Sequence, residues 1–167
     1  VLPQGSLFRS GAEGRIRQSF IEKDLIECAI GMAPNLFYGT GLAPCIIILR
    51  ANKDKERAKK VLIINSESIF KRGRNQNTLE KDHLDQITKL YKTFKSLDGL
   101  ASLVTESQIQ TNNFSLNIPL YVAQVKNGDG LSLEQCVNGL SSAKDLVVES
   151  RAELFVELEK WGLDVAK

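Results

Sequence analysis

Several common metal-binding and catalytic patterns are absent from this sequence. Its only histidine is His83, and its three cysteines, Cys28, Cys45 and Cys136, form no C-x-x-C pair. A structural zinc site uses about four nitrogen or sulfur ligands, so we predict no metal site. The sequence also has no glycine-rich dinucleotide loop, no P-loop and no nucleophile elbow. We therefore predict no complete set of catalytic residues in this chain.

Long apolar runs and a strong charge bias are also absent. No apolar run approaches the about 20 residues that span a bilayer, which predicts no membrane association. Lys and Arg total 22 against 20 Asp and Glu, and this near balance does not identify a nucleic-acid-binding protein. Cys28 and Cys45 lie in apolar runs and are expected to be buried, reduced thiols of a cytoplasmic protein.

The apolar pattern predicts an α/β fold in the first part of the chain. Ile16, Phe20 and Ile21 have helical spacing and predict an amphipathic helix over residues 11–23. Three apolar runs predict strands, at residues 24–30, 44–49 and 61–65. The second run is apolar on both faces, which predicts a strand buried between layers, and the short connections predict at least one antiparallel pair. The mixed-charge connector, residues 50–60, is expected to be a solvated hairpin tip.

The later part of the chain is predicted to be mainly helical. Thr78 is the predicted N-cap of a helix over residues 79–94. Two more helices are predicted, one capped by Ser132 and ending at Leu140, and one over residues 142–161 with an apolar stripe. That stripe is either intramolecular core or a seam for a partner protein.

The first candidate binding segment is a loop at residues 34–41. It carries Phe37 and Tyr38 next to glycines, just beyond a predicted strand. Ligand crevices in open α/β sheets lie outside strand ends, where exposed aromatic rings can stack on bases. The two interpretations are that these rings stack on a base or that they plug the loop into the core.

The second candidate segment is the polar, basic loop at residues 71–77. Lys and Arg suit phosphates, whereas Asn and Gln suit phosphates or base edges. The candidate DNA-binding residues are Lys71, Arg72, Arg74, Asn75 and Asn77. The alternative interpretation is an ordinary solvated loop.

Seven phrases of the sequence resemble the stretch that follows the catalytic motif in modification subunits of type I restriction-modification systems. The phrases are residues 1–9, 13–17, 25–31, 35–41, 45–49, 75–79 and 113–122. Each phrase alone is weak, but their order and spacing together are specific to that family. The resemblance covers about residues 1–122.

The resemblance implies the C-terminal part of a Rossmann-like S-adenosylmethionine-dependent methyltransferase sheet in residues 1–70, followed by a mainly helical region in residues 71–167. It implies methyl transfer to the exocyclic nitrogen of adenine, reached by base flipping, with S-adenosylmethionine as cofactor of the full-length parent. The implied partners are DNA, a sequence-reading specificity subunit and a restriction subunit. By position, Phe37 matches the aromatic residue that packs against the flipped adenine.

The sequence departs from the family pattern in ways that limit this expectation. The family's glycine-rich cofactor loop and its Asn-Pro-Pro-aromatic motif precede the matching stretch and do not occur here. We therefore expect this chain alone to bind no cofactor and to transfer no methyl group.

A further departure is Leu120, which stands where the family often carries a basic residue. The start at Val1 is interpreted as a truncation, and self-association through an exposed sheet edge is a further expectation.

Two functions of other classes compete with this interpretation. One is a non-enzymatic interaction module that docks on a specificity subunit or on DNA. The other is a plain DNA-binding domain, whose affinity for DNA would fall steeply with salt without any protein partner. The nearly balanced net charge argues against strong binding of the second kind.

Overall fold

A mixed five-stranded β-sheet, in the order β1-β3-β2-β4-β5, organises the first part of the chain. The computed structural model describes residues 1–123 and 133–162. The strands are β1 (Leu2–Pro3), β2 (Ile26–Met32), β3 (Pro44–Leu49), β4 (Lys60–Ser66) and β5 (Ala101–Thr105). Strands β2 and β4 are parallel, and the other neighbouring pairs are antiparallel. The predicted α/β fold with an antiparallel pair is confirmed.

Helices cover both faces of this sheet. They are α1 (Ala12–Glu22), α2 (Lys81–Thr93) and α3 (Glu106–Thr111), with short 3₁₀ turns at Gln4–Leu7 and Ile118–Leu120. The buried side chains form two clusters, because alternate residues of a strand point to opposite faces. Cys28 and Ile30 of β2 pack with α2, whereas Ala29 packs with α1 and α3. Strands β2 and β4 are therefore the buried centre of the fold.

Strand β3 is less buried than its sequence predicts. Pro44 and Cys45 are buried, but the next three residues are half-buried and Leu49 is exposed. The prediction of a strand buried between layers is therefore wrong for most of β3. Its outer neighbour β1 pairs only with Pro44 and Cys45, so the rest of β3 lies at an edge in the described part of the chain.

Helix α1 forms where predicted, and of the three apolar residues that predict it, Ile21 is buried and Phe20 is half-buried. Ile16 is exposed, whereas Arg17 is buried. The Arg17 guanidinium donates to the backbone carbonyls of Ser6 (2.8 Å), Arg9 (3.1 Å) and Phe114 (2.7 Å). These bonds satisfy a buried cation and hold two distant segments of the chain against α1.

The segment after α2 contains elements that the sequence analysis did not predict. Strand β5 extends the sheet, and Thr105 at its end caps α3 by accepting from the Gln108 N–H at 3.4 Å. Farther along, Ile118 crosses Gly31 of β2, where a β-carbon would lie 2.2 Å from Ile118 Cδ1. Only glycine fits that crossing without a shift. Residues after 70 thus contribute to the sheet as well as to helices.

Helix α2 begins later than predicted, and Thr78 is not its cap. Thr78 exchanges two backbone hydrogen bonds with Lys71, at 2.9 and 3.0 Å. The N-cap position belongs to Glu80, whose backbone N–H donates to Nδ1 of His83 at 3.0 Å. The helix itself is confirmed, and it packs on the sheet through Ile87 and Leu90.

A single helix, α4 (Leu133–Lys160), forms the described part of a second unit that begins after residue 125. The predicted break between two helices near Leu140 is wrong, since serine is tolerated within a helix at modest cost. The predicted cap Ser132 lies outside the described residues.

The predicted domain boundary at residue 70 coincides with neither limit of the two units. The assignment of residues 1–70 to a catalytic domain stays a prediction. None of the helices described here has the length and apolarity needed to cross a bilayer.

Candidate nucleic-acid interface

Two loops meet at the edge of the sheet where the parallel strands β2 and β4 end. The aromatic loop (residues 34–41) follows β2, and the basic loop (residues 71–77) follows β4. Carboxyl ends of parallel strands share one edge of a sheet, so residues 40 apart in sequence become neighbours. The structure therefore brings the two predicted binding segments together.

Amide groups of the basic loop bind successive carbonyl groups of the aromatic loop. Asn77 donates from Nδ2 to the carbonyl of Pro34 at 2.8 Å, and from its backbone N–H to that of Asn35 at 2.9 Å. Gln76 donates from Nε2 to the carbonyl of Leu36 at 2.6 Å. We call these three hydrogen bonds the amide clamp. Asn77 was predicted to bind DNA, but in this structure its N–H groups hold the aromatic loop.

The basic loop turns tightly to present this clamp. A β-carbon at Gly73 would lie 2.0 Å from the carbonyl oxygen of Gln76, so a glycine is needed where the turn closes. A further bond supports the clamp from the other side, because Asn35 Nδ2 donates to the carbonyl of Asn75 at 3.1 Å. The side chain of Asn75 is itself exposed.

The cations of the basic loop differ in their partners. Lys71 Nζ lies 2.5 Å from Oε1 of Glu80, and this hydrogen bond raises the pKa of Lys71. Arg72 and Arg74 are exposed, and within the described residues they make no hydrogen bond or ion pair. Their charges therefore face solvent and are free to meet an anion.

A cavity of about 500 Å³ lies between the two loops. Residues that line it include Met32, Leu36, Phe37, Tyr38, Gln76 and Leu79. None of the described side chains that line it carries a charge. Phe37 is 50% exposed and Tyr38 is 92% exposed, so the interpretation that these rings plug the loop into the core is wrong. The cavity offers flat apolar surface beside a few amides.

Gln76 belongs to this site, although the sequence analysis did not select it. Its partner is a backbone carbonyl 40 residues away, and no local sequence pattern reports such a contact. Among the described residues, no group of three or more His, Cys, Asp and Glu side chains is placed to hold a metal ion. The chemistry available here is stacking, hydrogen bonding and cation–anion attraction.

A second charged cluster lies at the opposite end of the same strands. Glu27, near the start of β2, is fully buried. Its carboxylate accepts hydrogen bonds from Arg50 Nε (2.8 Å), Arg57 Nη1 (2.7 Å) and the Tyr91 hydroxyl (2.8 Å). The Arg57 guanidinium also lies over the ring of Phe94, 4.4 Å from its centroid. We call these residues the Glu27 cluster.

The expectation of a solvated connector holds for Asp54, Lys55 and Glu56, which are exposed, but it is wrong for Lys53 and Arg57. The Lys53 side chain is only 2% exposed, and its Nζ lies 2.5 Å from Oδ1 of Asp24. Burial alone would raise the pKa of Glu27, but hydrogen bonds from Arg50, Arg57 and Tyr91 outweigh burial, so that pKa lies below its usual value. Part of the connector is therefore anchored to the fold by paired cations.

Known proteins similar to this chain are DNA methylase subunits. Residues 1–129 match the family model described as N-6 DNA Methylase. The type I restriction enzyme MjaVIII methylase subunit of Methanocaldococcus jannaschii is 32% identical over 152 residues, which is 89% of this chain and 26% of that protein. The MjaVII methylase subunit of the same organism is 35% identical over 138 residues, 81% of this chain and 24% of that protein. This chain therefore spans about a quarter of the length of these relatives.

A solved structure shows the same fold. It is the methyltransferase subunit of a type I restriction-modification system from Streptococcus thermophilus, with a TM-score of 0.69 and 36% sequence identity. The match covers 74% of this chain and 25% of that chain. The predicted fold, part of a Rossmann-like methyltransferase sheet, is confirmed.

Proposed function

The chain belongs to the N-6 DNA methylase family, and on this premise we propose that it is the C-terminal part of a type I modification subunit. The parent enzyme transfers the methyl group of S-adenosylmethionine to the exocyclic nitrogen of adenine in DNA. The observation that carries the proposal is the cavity at the sheet edge, where exposed aromatic rings lie beside a loop with unpaired cations. The similarity to named type I methylase subunits supports it.

Phe37 is the residue that we assign to stacking on the flipped adenine, with Tyr38 as a second ring. A base that has left the duplex needs a flat apolar surface and a few hydrogen-bonding groups at its edge. The cavity supplies both, since the half-exposed Phe37 ring and the amide of Gln76 border the same space. Stacking of a base on an aromatic side chain contributes about 1–3 kcal/mol.

We assign the DNA backbone to the basic loop. Arg72 and Arg74 have no carboxylate partner in the described residues and suit phosphate oxygens. Lys71 joins them at the base of the loop, although Glu80 neutralises part of its charge. Asn75 contributes its exposed carboxamide, and Asn77 contributes its remaining carboxamide oxygen.

The cavity does not fit the whole of S-adenosylmethionine. Its apolar walls suit an adenine ring, but ribose hydroxyls call for an acidic acceptor, as at other nucleotide sites. None of the described side chains that line the cavity is acidic, so the hydroxyls lack the acidic acceptor and the sulfonium lacks a counter-charge. We therefore assign cofactor binding to other parts of the parent subunit. We expect this chain alone to bind no cofactor and to transfer no methyl group.

Helix α4 supports a second function, docking on the specificity subunit. Leu140, Val147 and Leu154 of α4 are exposed at seven-residue spacing, and the exposed Trp161 follows the helix at the same spacing. Exposed apolar residues along one helix are typical of a surface that docks on a partner protein. This observation favours an interaction role for the same chain, in a complex that a restriction subunit joins when DNA is cut.

The location and the oligomeric state are further parts of the proposal. Cys28 and Cys45 are buried free thiols, which agrees with the reducing cytoplasm, where host DNA lies.

The β1 edge of the sheet, with Leu2 partly exposed, is the surface that we propose for self-association of the isolated chain. Sedimentation that shows only monomer at high concentration would rule that association out.

Methyl transfer by the assembled parent tests the proposed function. The modification subunit that contains this chain is combined with its specificity subunit, and transfer from labelled S-adenosylmethionine to DNA is measured. Phe37→Ala is expected to lower the rate by roughly tenfold, in line with the loss of one stacked base. Leu97→Ala removes a side chain that is also 50% exposed and lies outside the cavity, so it serves as the control. Full activity in Phe37→Ala would contradict the stacking role.

A calorimetric titration of S-adenosylmethionine into the 167-residue chain tests the cofactor assignment. We expect no heat of binding from the folded chain, because the cavity offers no acidic partner. Micromolar binding would mean that the cavity holds the cofactor rather than the target base. The two loops would then have to be assigned to the cofactor.

A plain DNA-binding domain remains the competing function of another class. It predicts tight binding of duplex DNA by this chain without a partner, with a steep dependence on salt. The proposal predicts weak binding, because Arg72 and Arg74 are the basic loop's only cations without a carboxylate partner in the described residues. An affinity titration at two salt concentrations distinguishes the two.

A further inference from the structure

The amide clamp holds the aromatic loop at one particular place. The carbonyls of Pro34, Asn35 and Leu36 all accept hydrogen bonds, at 2.8, 2.9 and 2.6 Å, from groups of Gln76 and Asn77. Three consecutive peptide groups are thus fixed by two residues of another loop. The next residue along the chain is Phe37, whose ring borders the cavity. The clamp therefore ends immediately before the ring.

We propose that Gln76 and Asn77 are positioning residues that hold Phe37 at the cavity before any DNA is bound. This inference rests on the proposed function, since a fixed ring matters only if the ring receives a base. A loop that is already ordered loses less conformational entropy when its ligand binds. The clamp thereby favours stacking without touching the base.

The rest of the aromatic loop provides little support of its own. Residues 37–42 are exposed, and Asn35 and Gly39 have positive φ angles of 55° and 74°. The local contacts in and beside the loop are an antiparallel bridge between Phe37 and Thr40 and a bond from the Leu42 N–H to Oγ1 of Thr40 at 3.1 Å, and they span no more than three residues. A segment with so few buried contacts opens readily unless it is held from outside. The amides of the basic loop are that external support.

The clamp also connects the two DNA-binding functions proposed for this edge. Arg74 lies between Gly73 and Gln76, whose close approach makes the turn tight. A phosphate held by Arg72 or Arg74 therefore fixes the same short turn whose amides hold the aromatic loop. Contact with the DNA backbone and placement of the ring are coupled through a few covalent bonds.

The test places 4-fluorophenylalanine at position 37 of the 167-residue chain and follows its ¹⁹F NMR resonance without DNA. Gln76→Glu and Asn77→Asp replace the clamp donors by acceptors of the same shape. The control is Asn75→Asp, which makes the same chemical change in the same loop at an exposed side chain outside the clamp. We expect the resonance to move toward that of a solvated ring in both clamp variants and to stay in place in the control. An unmoved resonance in the clamp variants overturns the proposal.

Two further measurements exclude a general structural defect. Gln76→Lys restores an N–H donor and is expected to return the resonance to its original position. In Gln76→Glu, a falling pH protonates the carboxyl group, which then donates a hydrogen bond again. The resonance should therefore move back as the pH falls toward about 4.3, the ordinary glutamate pKa. If Gln76→Lys keeps the shifted resonance, and acid does not move the resonance of Gln76→Glu back, the hydrogen-bond donors are not what positions the ring.

Adding an adenine-containing single-stranded oligonucleotide separates this inference from the proposed function. The two aspartate variants carry the same added charge, and each changes one carboxamide that we assign to the DNA backbone, so both lose affinity for reasons unrelated to the clamp. Asn77→Asp is expected to bind roughly fivefold more weakly than Asn75→Asp, the lower end of what base stacking contributes. If the oligonucleotide never shifts the Phe37 resonance, base stacking fails while the clamp result stands. Equal affinities of the two variants, with stacking intact, overturn the positioning role.

Discussion

Strands β2 and β4 carry two charged regions at their opposite ends, and the two are built differently. At the end near Glu27, three cations of the connector, Arg50, Lys53 and Arg57, are paired with carboxylates, and the Lys53 side chain is almost completely buried. At the end near the cavity, Arg72 and Arg74 are unpaired within the described residues. There, aromatic rings are exposed, and amides are used to hold a neighbouring loop.

The difference shows how one sheet separates stability from binding. A buried carboxylate stabilises the fold only while all of its hydrogen-bond donors stay in place. Those donors are therefore not available to bind a ligand. Unpaired surface cations contribute little to stability and stay available for an anion. Binding in open α/β sheets occurs beyond the carboxyl ends of the strands, and here the two loops that border the cavity, residues 34–41 and 71–77, lie at that end. We call these two loops the open region, and the connector with the Glu27 cluster the closed region.

The largest expected effect follows from removing the carboxylate of the closed region. Glu27→Gln leaves Arg50 and Arg57 without a counter-charge, and the free energy of unfolding in urea should fall by about 2–3 kcal/mol. The value is at the low end for buried pairs because the Arg50 side chain is 44% exposed. Glu56→Gln, the same change at an exposed position of the connector, should leave unfolding unaltered. Equal effects at both positions would contradict the comparison.

The pH dependence sharpens the same prediction. The pKa of Glu27 is lowered in the folded protein, so its contribution is present above the unfolded glutamate pKa of about 4.3 and is lost as pH falls through the lower folded value. The stability difference between wild type and Glu27→Gln should therefore shrink below about pH 4.3. Urea titrations from pH 7 to pH 3.5 measure it. A difference that grows in acid would mean that Glu27 is not held as a carboxylate.

The open region is expected to dominate binding to DNA. Arg72→Ala with Arg74→Ala removes two phosphate contacts, which should lower affinity by on the order of tenfold and reduce the salt slope by roughly 1.8. Fluorescence anisotropy of the parent subunit, assembled with its specificity subunit, measures both across a salt series. Lys55→Ala removes an exposed cation from the closed region and is the matched control. A similar loss in that variant would show that general charge, not this loop, attracts DNA.

The sequence predicts the open region better than the closed one. Loop residues such as Phe37 and Arg74 stand out because their chemistry is unusual beyond the end of an apolar strand, and the structure places both at one edge. The role of Gln76 was not predicted, because its partner is a backbone carbonyl, a group that every residue carries.

The closed region was misjudged because its charges are ordinary in the sequence. Arg57 and Lys53 occur in a mixed-charge run that usually indicates a solvated surface. Arg57 pairs with Glu27, 30 residues earlier inside an apolar strand, and Lys53 pairs with Asp24, 29 residues earlier. A charged residue within a fully buried strand was the available signal, since it requires a partner. Strand β5 was missed for a related reason, because its alternation is short and only its pairing with β4 identifies it.

A smaller effect is expected from the turn that supports the clamp. In Gly73→Ala, the added β-carbon meets the Gln76 carbonyl at 2.0 Å, so the turn must shift, and unfolding should become easier by about 1 kcal/mol. Gly41→Ala, in the aromatic loop, meets nothing within 4 Å and should not destabilise the chain. Urea unfolding of both variants measures the difference. If Gly41→Ala is equally harmful, the tight turn is not what makes position 73 sensitive.

The smallest expected effect concerns the one ion pair in the open region. Lys71 and Glu80 are as close as Lys53 and Asp24, with 2.5 Å between nitrogen and oxygen in both pairs. Exposure differs, because both Lys71 and Glu80 are more than half exposed, and solvent screens their attraction. Lys71→Ala should therefore leave the urea midpoint unchanged, whereas Lys53→Ala, which strips a nearly buried lysine from its partner, should lower it clearly. A comparable drop in the two variants would show that distance rather than burial decides the contribution, and the distinction between the two ends of the sheet would fail.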